Sequence, residues 1–415
     1  MIKNDYGHLN CPYFVEKLPS GVMIYLVPRK SNINRATILI SKGSNQSDNN
    51  ALGKIPFGAA YYLSNLIFDN ELKTRLAKEN IMAESEVTAS YTTYSLSSIE
   101  KNLLPYLSDV MKRISNPFYS EKDVEKFKEY DQDRIDKDEK NPLLLTQMAC
   151  VKGLYITSSI QQGVKPDRNQ ANSIHATGLR KFQESYYVPK RTVLILSGDF
   201  DPKTVLSALK ELPYPKALSV KEPIKENKEI YDKVFEDYLE VETDTPCTYL
   251  TYGIKFPSRK DLYDAFGESL FYYYEILIDL LFKKNPSFLS GIADLRSELV
   301  YASLNEAGED TCLLLTFRSE NGQELCNYLA KYLSKAEKKI TNSLYDRVQK
   351  EYYAKSLSSL SSPYLLINEF ARSYPNHISY PSLVSHTMRL SYSTFRKFLD
   401  QLKKFPRACA VARKA

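Results

Sequence analysis

The strongest constraint on the fold of this chain is an internal repeat. In the first half, a predicted strand, "SYTTYSLSS", is followed by the amphipathic helix "IEKNLLPYLSDVMKRI" and then by the long charged helix "YSEKDVEKFKEYDQDRIDKDEKNP". The second half shows the same order in "EDTCLLLTFRSENGQELCNYLAKYLSKAEKKI" and "TNSLYDRVQKEYYAKSL", and a spacing of 222 positions aligns Asn102-Leu103 with Glu324-Leu325. Self-similarity at half the chain length indicates a duplicated domain.

The predicted elements favour an α+β fold. Each half mixes strands with long helices, which is typical of a mainly antiparallel sheet with helices covering one face. At 415 residues the chain is too long for a single hydrophobic core. We therefore expect two homologous domains, an N-terminal one over 1–212 and a C-terminal one over 238–415, joined by a Pro- and Lys-rich linker over 213–237.

Composition excludes several classes of function. Basic and acidic side chains nearly balance, 56 against 50, so the net charge of +6 does not indicate a nucleic-acid partner. No run of about 18 apolar residues occurs and the first residues lack a secretory signal, so we expect a cytoplasmic protein without a membrane span. Six cysteines without CxxC spacing are typical of free thiols in a reducing compartment, and no glycine-rich phosphate-binding motif occurs.

Histidine is scarce, and its positions exclude one kind of metal site. The complete set is His8, His175, His377 and His386. No two of them are three or four positions apart, so no helix presents a histidine pair on one face. A zinc site built locally on paired histidines is therefore excluded.

The stretch "GAAYYLSNLIF", residues 58–68, carries a resemblance to a known family. Gly58, Ala60, Leu63 and Phe68 fit a frame in which Gly-x-Ala precedes H-x-x-E-H, two apolar residues and a Phe. With the order of elements over nearly the whole chain, this frame resembles the insulinase and pitrilysin family of inverted zinc metallopeptidases, in particular its small bacterial branch with two domains per chain. The resemblance implies a fold of the LuxS and mitochondrial-processing-peptidase type, with each chain forming half of a clam shell.

The catalytic residues of that frame are absent. Tyr61 and Asn65 stand at the two histidine positions, and Ser64 stands at the position of the general base. Tyr and Asn are poor zinc ligands, and a serine hydroxyl cannot act as a carboxylate base near neutral pH. The third family ligand, a Glu eight positions before a Pro, corresponds to Arg134, or to Asp133 after a one-residue slip. The resemblance therefore implies a chain that holds no zinc and has no catalytic residue of its own.

A plainer interpretation of these positions stays open. Tyr61 is then a half-buried aromatic, and Ser64 and Asn65 are polar residues on the wetter side of an amphipathic helix. Arg134 is then a solvated charge in a charged helix. In that case the helix is retained as architecture alone.

Arg372 lies in "NEFARSYPNHISY", where related chains carry a run like N-x-F-x-R-Y. Ser373 replaces the Tyr of that run, which leaves Tyr374 and Tyr380 as nearby phenols. The resemblance implies that such an Arg and Tyr act on the zinc site of a partner chain, where they stabilise the oxyanion of the tetrahedral intermediate. The alternative is a surface Arg in an ordinary aromatic neighbourhood.

The segment "MAESEVTASY" corresponds to the strand edge on which the family binds peptide substrates. Glu84, Ser85 and Glu86 depart from the small and amide residues usual there, and two acidic side chains favour a basic peptide. The alternative is a charged edge strand that resists aggregation.

Two functions of different classes follow from the resemblance. The first is a catalytically inactive subunit of a heterodimeric zinc endopeptidase that processes peptides, with zinc held only by an active zinc-motif homologue. The second is a peptide-binding or scaffold homodimer of clam-shell form with no proteolytic role. A third alternative is a metallopeptidase with unusual ligands such as Asp133 and His175, although its first helix offers no carboxylate base.

Overall fold

Seven strands, six of them from the first 100 residues, form the first sheet. The computed structural model describes residues 1–44, 55–99, 102–216, 229–244 and 248–414. The strands are β1 (Ile2–Asn4), β2 (Tyr13–Lys17), β3 (Met23–Pro28), β4 (Ile33–Ile40), β5 (Ile81–Val87), β6 (Thr92–Ile99) and β7 (Thr192–Gly198). Their spatial order is β1-β2-β3-β7-β4-β6-β5, and the neighbours are antiparallel except for the parallel pair β3 and β7.

The second sheet repeats the topology of the first. Its strands are β8 (Tyr238–Thr243), β9 (Tyr249–Lys255), β10 (Ser297–Ala307), β11 (Asp310–Ser319) and β12 (Arg407–Lys414), in the order β10-β11-β9-β12-β8. The pair β12 and β8 is parallel and the other pairs are antiparallel. Five strands of the first sheet, β5-β6-β4-β7-β3, have the same chain order and the same placement of the parallel pair. The predicted α+β fold with two similar, mainly antiparallel sheets is confirmed.

Helices fill most of the sequence between these strands. Those before β7 are α1 (Ala59–Ile67), α2 (Asn70–Lys78), α3 (Leu104–Ser115), α4 (Glu121–Glu139), α5 (Pro142–Leu154), α6 (Arg168–Asn172) and α7 (Ala176–Tyr186). Those after it are α8 (Pro202–Lys210), α9 (Arg259–Phe266), α10 (Ser269–Ile278), α11 (Pro286–Asp294), α12 (Gly322–Leu333), α13 (Ala336–Lys339), α14 (Asn342–Ser361), α15 (Pro363–Ser373), α16 (Tyr380–Thr387) and α17 (Tyr392–Gln401). Across the part of the chain that the structure describes, every helix is too short or too polar to cross a membrane.

The repeated elements are one helical turn closer than the sequence predicts. Helix α3 begins at Leu104 and ends at Ser115, while α12 begins at Gly322 and ends at Leu333, so the spacing is 218 positions at both ends. The predicted spacing of 222 is wrong by four. A shift of four residues keeps the apolar face of a helix in register, so the hydrophobic pattern alone cannot distinguish the two alignments.

The compact units of the structure exchange segments between the two halves of the sequence. The first unit comprises 1–132, 164–226 and 356–385, and the second comprises 133–163, 227–355 and 386–415. Two of the unit boundaries, after residues 132 and 355, fall inside the long helices α4 and α14. Helix α15 therefore belongs to the unit of the first sheet, and α5 belongs to the unit of the second. These units cut across the predicted domains 1–212 and 238–415, and part of the predicted linker, 217–228, lies outside the described residues.

Helices cover both faces of the first sheet, whereas the sequence predicts one covered face. Tyr94 of β6 packs edge-on against Phe68 at the end of α1, with ring centroids 5.4 Å apart. Ser97 lies on the opposite face, because residues an odd number apart in a strand point to opposite sides. There Arg35 of β4 donates to Ser97 Oγ and to Asn368 Oδ1 of α15, over 3.0 and 2.8 Å. The second covering helix comes from the exchanged segment, which sequence order does not reveal.

The second sheet is enclosed in the same way. A Cβ on Gly253 of β9 would lie 2.6 Å from Cys150 Sγ, so glycine is needed where α5 packs against the sheet. Gly253 pairs with Ala408 of β12, and the next residue, Cys409, points to the opposite face. Cys409 Sγ lies there 2.8 Å from Cys326 Sγ of α12. Helices α5 and α12 therefore cover opposite faces.

Candidate functional site

Helix α1 keeps the framework of the family helix as part of the hydrophobic core. Gly58 begins it with a left-handed φ of 85°, and a Cβ there would meet Pro166 at 2.6 Å, so only glycine fits. Ala60, Leu63 and Phe68, the other residues that fit the family frame, are buried. The sequence positions that match the family therefore fix the packing of α1.

Tyr61, at the first histidine position, bonds to a neighbouring helix. Its phenol donates to Asp131 Oδ1 of α4 over 2.9 Å, and its ring lies 6.0 Å from the ring of Phe127. Asp131 is only 2% exposed. The contact between the two helices, which zinc would make through a carboxylate and a histidine, is made here by a phenol and a carboxylate.

Ser64 and Asn65 form hydrogen bonds within their own helix. Ser64 Oγ and Asn65 Nδ2 both donate to the carbonyl oxygen of Tyr61, over 2.8 and 2.9 Å. Ser64 is 2% exposed, so its predicted place on the wetter side of the helix is wrong, while Asn65 is partly exposed. Short polar side chains satisfy their donors on a preceding carbonyl when they are drawn into a core. Neither group is a carboxylate or an imidazole, so α1 offers no general base.

The third family position is occupied by an ion pair within α4. Arg134 Nη1 lies 2.9 Å from Asp138 Oδ2, and 18% of the arginine side chain is exposed, so Arg134 is not the solvated charge of the plainer interpretation. Asp133, the alternative after a one-residue slip, is exposed. The carboxylate that contacts α1 is Asp131, which the sequence argument missed. Asp131 precedes Arg134 by three positions and shares its helix face, but only the packing of α4 against α1 reveals its contact with Tyr61.

Potential metal ligands come together elsewhere. Within the described ranges, a cluster of three forms from Glu121, Glu125 and His175, and all three are exposed. His175 Nδ1 lies 2.9 Å from Glu121 Oε1, and the backbone N–H of Ala176 donates to Glu121 Oε2. Hydrogen bonds from His175 and Ala176 lower the pKa of Glu121. These contacts cap the start of α7, and α1 contributes no residue to the cluster.

The predicted peptide edge is strand β5, which lies at the edge of the first sheet. Glu84 is held by Arg35, whose Nη1 and Nη2 lie 3.2 and 3.1 Å from Glu84 Oε2, and the Tyr364 hydroxyl donates to the same carboxylate. Ser85 is partly exposed and Glu86 is exposed. The predicted pair of acidic side chains therefore reduces to Glu86, because the buried Arg35 guanidinium neutralises Glu84.

Arg372 lies on the last turn of α15 with about half of its side chain, 48%, exposed. Its Nε and Nη2 donate to Glu369 Oε2 over 3.0 and 2.8 Å. Tyr374 is half-buried and lines a cavity of about 680 Å³ with Tyr25 and other residues of the first unit. Tyr380 is buried, and burial raises its pKa. Of the two phenols named from the sequence, only Tyr374 reaches an open surface.

A family model matches part of this sequence, and a known protein matches most of it. Residues 173–274 match the family model described as Peptidase M16 inactive domain. The chain is 23% identical over 399 residues to the uncharacterized zinc protease YmfH of Bacillus subtilis, an alignment that covers 89% of this chain and 88% of that protein. The matched segment 173–274 begins after α1 and α4, so the match does not include Tyr61, Ser64, Asn65 or Arg134.

Solved structures share the fold over the full length. An M16-like peptidase from Alicyclobacillus acidocaldarius superimposes with a TM-score of 0.82 at 16% identity, covering 98% of this chain and 99% of that one. The periplasmic protease PqqL from Escherichia coli gives a TM-score of 0.71 at 12% identity, covering 100% of this chain and 48% of that one. The resemblance to insulinase and pitrilysin-type peptidases is confirmed: the chain has the fold of the M16-like peptidases, and residues 173–274 match the model of their inactive domain.

Proposed function

We propose that this protein is the non-catalytic subunit of a bacterial, cytoplasmic zinc endopeptidase, paired with a homologue that carries the zinc motif. The observation that carries the proposal is the packing and hydrogen bonding of α1. Ala60, Leu63 and Phe68, which fit the family frame, are buried. Tyr61, Ser64 and Asn65 direct their polar atoms to Asp131 and to the helix backbone. Without zinc ligands on α1, the contribution left to this chain is to shape the complex and to bind the peptide, and that contribution has to come from other sites on the fold.

The relation to PqqL supports pairing. This chain spans 48% of PqqL, so the larger protein contains about twice the length of this fold in one chain. Two separate chains of this length would together match the length of PqqL. Zinc then belongs to the partner, and the peptide substrate binds between the two chains.

Strand β5 supports a role in binding the substrate. Its pairing with β6 leaves the opposite edge of β5 without a partner among the described strands, so its backbone can accept an added strand. Backbone pairing of this kind tolerates varied sequences. Since Arg35 engages Glu84, a preference for basic peptides depends on Glu86.

Arg372 is the residue we assign to the partner's zinc site. About half of its side chain, 48%, is exposed at the end of α15, where it also pairs with Glu369. Stabilisation of an oxyanion by such a group accounts for about 10²–10³-fold in rate in acyl-transfer enzymes.

The contact between Arg372 and Glu369 also favours a second candidate, a peptide-binding scaffold homodimer. Arg372 already has a carboxylate partner on its own helix, so its charge is compensated without the active site of a second chain. In that case the chain binds peptides on β5 and no cleavage follows.

The test is hydrolysis of a quenched peptide library by this chain, by a zinc-motif homologue from the same genome, and by the two together. Activity that requires the mixture, and falls about 100-fold with Arg372→Ala in this chain, supports the first candidate. A matched control is Arg347→Ala, an exposed arginine of the second unit that lies near Glu351. Peptide binding without hydrolysis in every mixture supports the scaffold.

A further inference from the structure

Cysteines that are far apart in sequence come together in the second unit. Cys150, Cys312, Cys326 and Cys409 lie on α5, β11, α12 and β12, and all are free thiols. The closest approach joins Cys326 Sγ to Cys409 Sγ over 2.8 Å. Two sulfur atoms that are not bonded normally stay farther apart than this, so a covalent S–S bond, at about 2.05 Å, is within reach of small side-chain rotations.

The two thiols of this pair differ in accessibility and acidity. Cys326 is half-buried, while Cys409 is 5% exposed. The hydrogen bond from Cys409 lowers the pKa of Cys326, and the same bond together with burial raises the pKa of Cys409. The thiol that a reagent can approach is therefore also the one that ionises more readily, and the thiolate is the nucleophile in thiol chemistry.

The remaining cysteines of the group are placed differently. Cys150 packs on the opposite face of β12, where its thiol lies 3.5 Å from the carbonyl oxygen of Ala408. It is fully buried, and burial raises its pKa. Burial also raises the pKa of Cys312 to about 12. Neither offers an accessible thiolate, and Cys247 lies outside the described residues.

We propose that Cys326 and Cys409 form a dithiol modification site, which low-molecular-weight disulfides oxidise to an intramolecular disulfide. The Cys326 thiolate attacks one sulfur of the small disulfide, giving a mixed disulfide and releasing one small thiolate. Cys409 then loses its proton and attacks Cys326 Sγ, which releases the second small thiolate. In balance, two protein thiols and one small disulfide give one protein disulfide and two small thiols.

The disulfide adds a covalent link between two elements of the second unit. It joins the half-buried face of α12 covalently to β12, a strand that pairs with both β8 and β9. A link over this length of chain restricts the unfolded state more than the folded one, so oxidation is expected to stabilise the second unit. The inference is independent of the proposed function, because it involves neither α1 nor β5.

The experiment treats the folded full-length protein with oxidised glutathione, quenches free thiols with iodoacetamide and maps the peptides under non-reducing conditions. Loss of two hydrogen atoms in intact mass and a linked peptide pair containing Cys326 and Cys409 are expected. In Cys409→Ser the reaction stops at a stable glutathione adduct on Cys326, since the second thiol is missing. Cys150→Ala is the matched control and still forms the disulfide.

Two results overturn the proposal itself, and a third contradicts the placement of the thiols. One is a stable glutathione adduct on Cys326 in the unsubstituted protein, which would show that Cys409 cannot resolve it. The other is alkylation of Cys326 by iodoacetamide without any linked pair after prolonged oxidation. A disulfide between Cys150 and Cys409 would likewise contradict the placement of these thiols on opposite faces of β12.

Discussion

At the scale of single residues, Tyr61, Ser64 and Asn65 direct their polar atoms to Asp131 and to the backbone of α1. Tyr61, Ser64 and Asn65 occupy a contiguous frame, so counting from Gly58 places them correctly on α1. Asp131 lies 70 positions away, and its contact depends on how α4 packs against α1. Tertiary packing of two helices is not encoded in either helix alone, and the spacing to Pro142 leads to Arg134 instead.

The bond between Tyr61 and Asp131 contributes to stability. Tyr61→Phe removes the donor and keeps the ring against Phe127, so we expect a loss of about 1–2 kcal/mol in the free energy of unfolding, measured by urea denaturation. Tyr130→Phe, on α4 where the residue is 72% exposed, is the control and is expected to change little. Equal effects of the two substitutions would contradict the structural role given to Tyr61.

A buried ion pair in the second unit makes stability depend on pH. Lys255 Nζ lies 2.6 Å from Glu229 Oε1, and backbone N–H groups of Ile156 and Thr157 donate to the same carboxylate. Burial raises the pKa of Glu229, but the Lys255 and backbone bonds outweigh it, and the pKa is lowered overall. A lowered folded-state pKa stabilises above the unfolded value of about 4.3, and this stability is lost as pH falls through the folded value.

Glu229→Gln tests that dependence. Because it leaves the Lys255 ammonium without its charged partner, we expect a loss of about 3 kcal/mol at pH 7 and a smaller further loss between pH 5 and pH 3 than in the unsubstituted protein. Glu236→Gln, at an exposed site, should leave both quantities unchanged. Parallel acid-denaturation curves for Glu229→Gln and the unsubstituted protein would contradict the account.

At the scale of elements, most strands and helices follow from sequence patterns. The apolar runs of β3, β4 and β7 and the capped start of α4 at Ser120 are local signals that tertiary context reinforces. The polar face of the first sheet is covered by a helix that is distant in sequence. Arg35 is buried there because α15 supplies Asn368 and Tyr364 to it, and α15 is more than 300 positions away.

The two glutamates of β5 are expected to behave differently. Glu84→Gln removes a charged partner of Arg35, so we expect destabilisation of about 1–2 kcal/mol, reduced by the partial exposure of Glu84. Glu86→Gln is expected to change stability by less than about 0.5 kcal/mol and to weaken binding of basic peptides. Urea denaturation and peptide titration of both variants measure the difference. A basic-peptide affinity that depends on Glu84 and not on Glu86 would contradict the charge assignment.

At the scale of the whole molecule, the duplication was predictable and the exchange of segments was not. Both halves carry the same order of elements, which gives the repeated sheet topology. A long exposed helix such as α4 shows in sequence by its charge pattern, but nothing in that pattern tells which sheet the following helix joins. The predicted domain ends at 212 and 238 therefore follow sequence order, whereas the compact units do not.

The fragment 1–212 tests this organisation. It lacks α15, whose Phe370 packs against Tyr13 and Tyr25 with centroids 5.5 and 5.9 Å apart, so the first sheet loses a covering helix. We expect no cooperative unfolding transition and a weak near-ultraviolet circular dichroism signal, both restored by co-expression with residues 356–385. A fragment that unfolds cooperatively by itself would show that the first half is an independent domain.

We propose that α1 does not bind zinc, and the zinc content of the purified chain tests this directly. It is measured after incubation with one equivalent of the metal and removal of the excess. Tyr61, Ser64 and Asn65 already direct their polar atoms to Asp131 and to the helix backbone, so we predict less than about 0.1 zinc per isolated chain. When the chain is purified with its zinc-motif homologue, we predict about one zinc per pair. One tightly bound zinc per isolated chain would contradict the account.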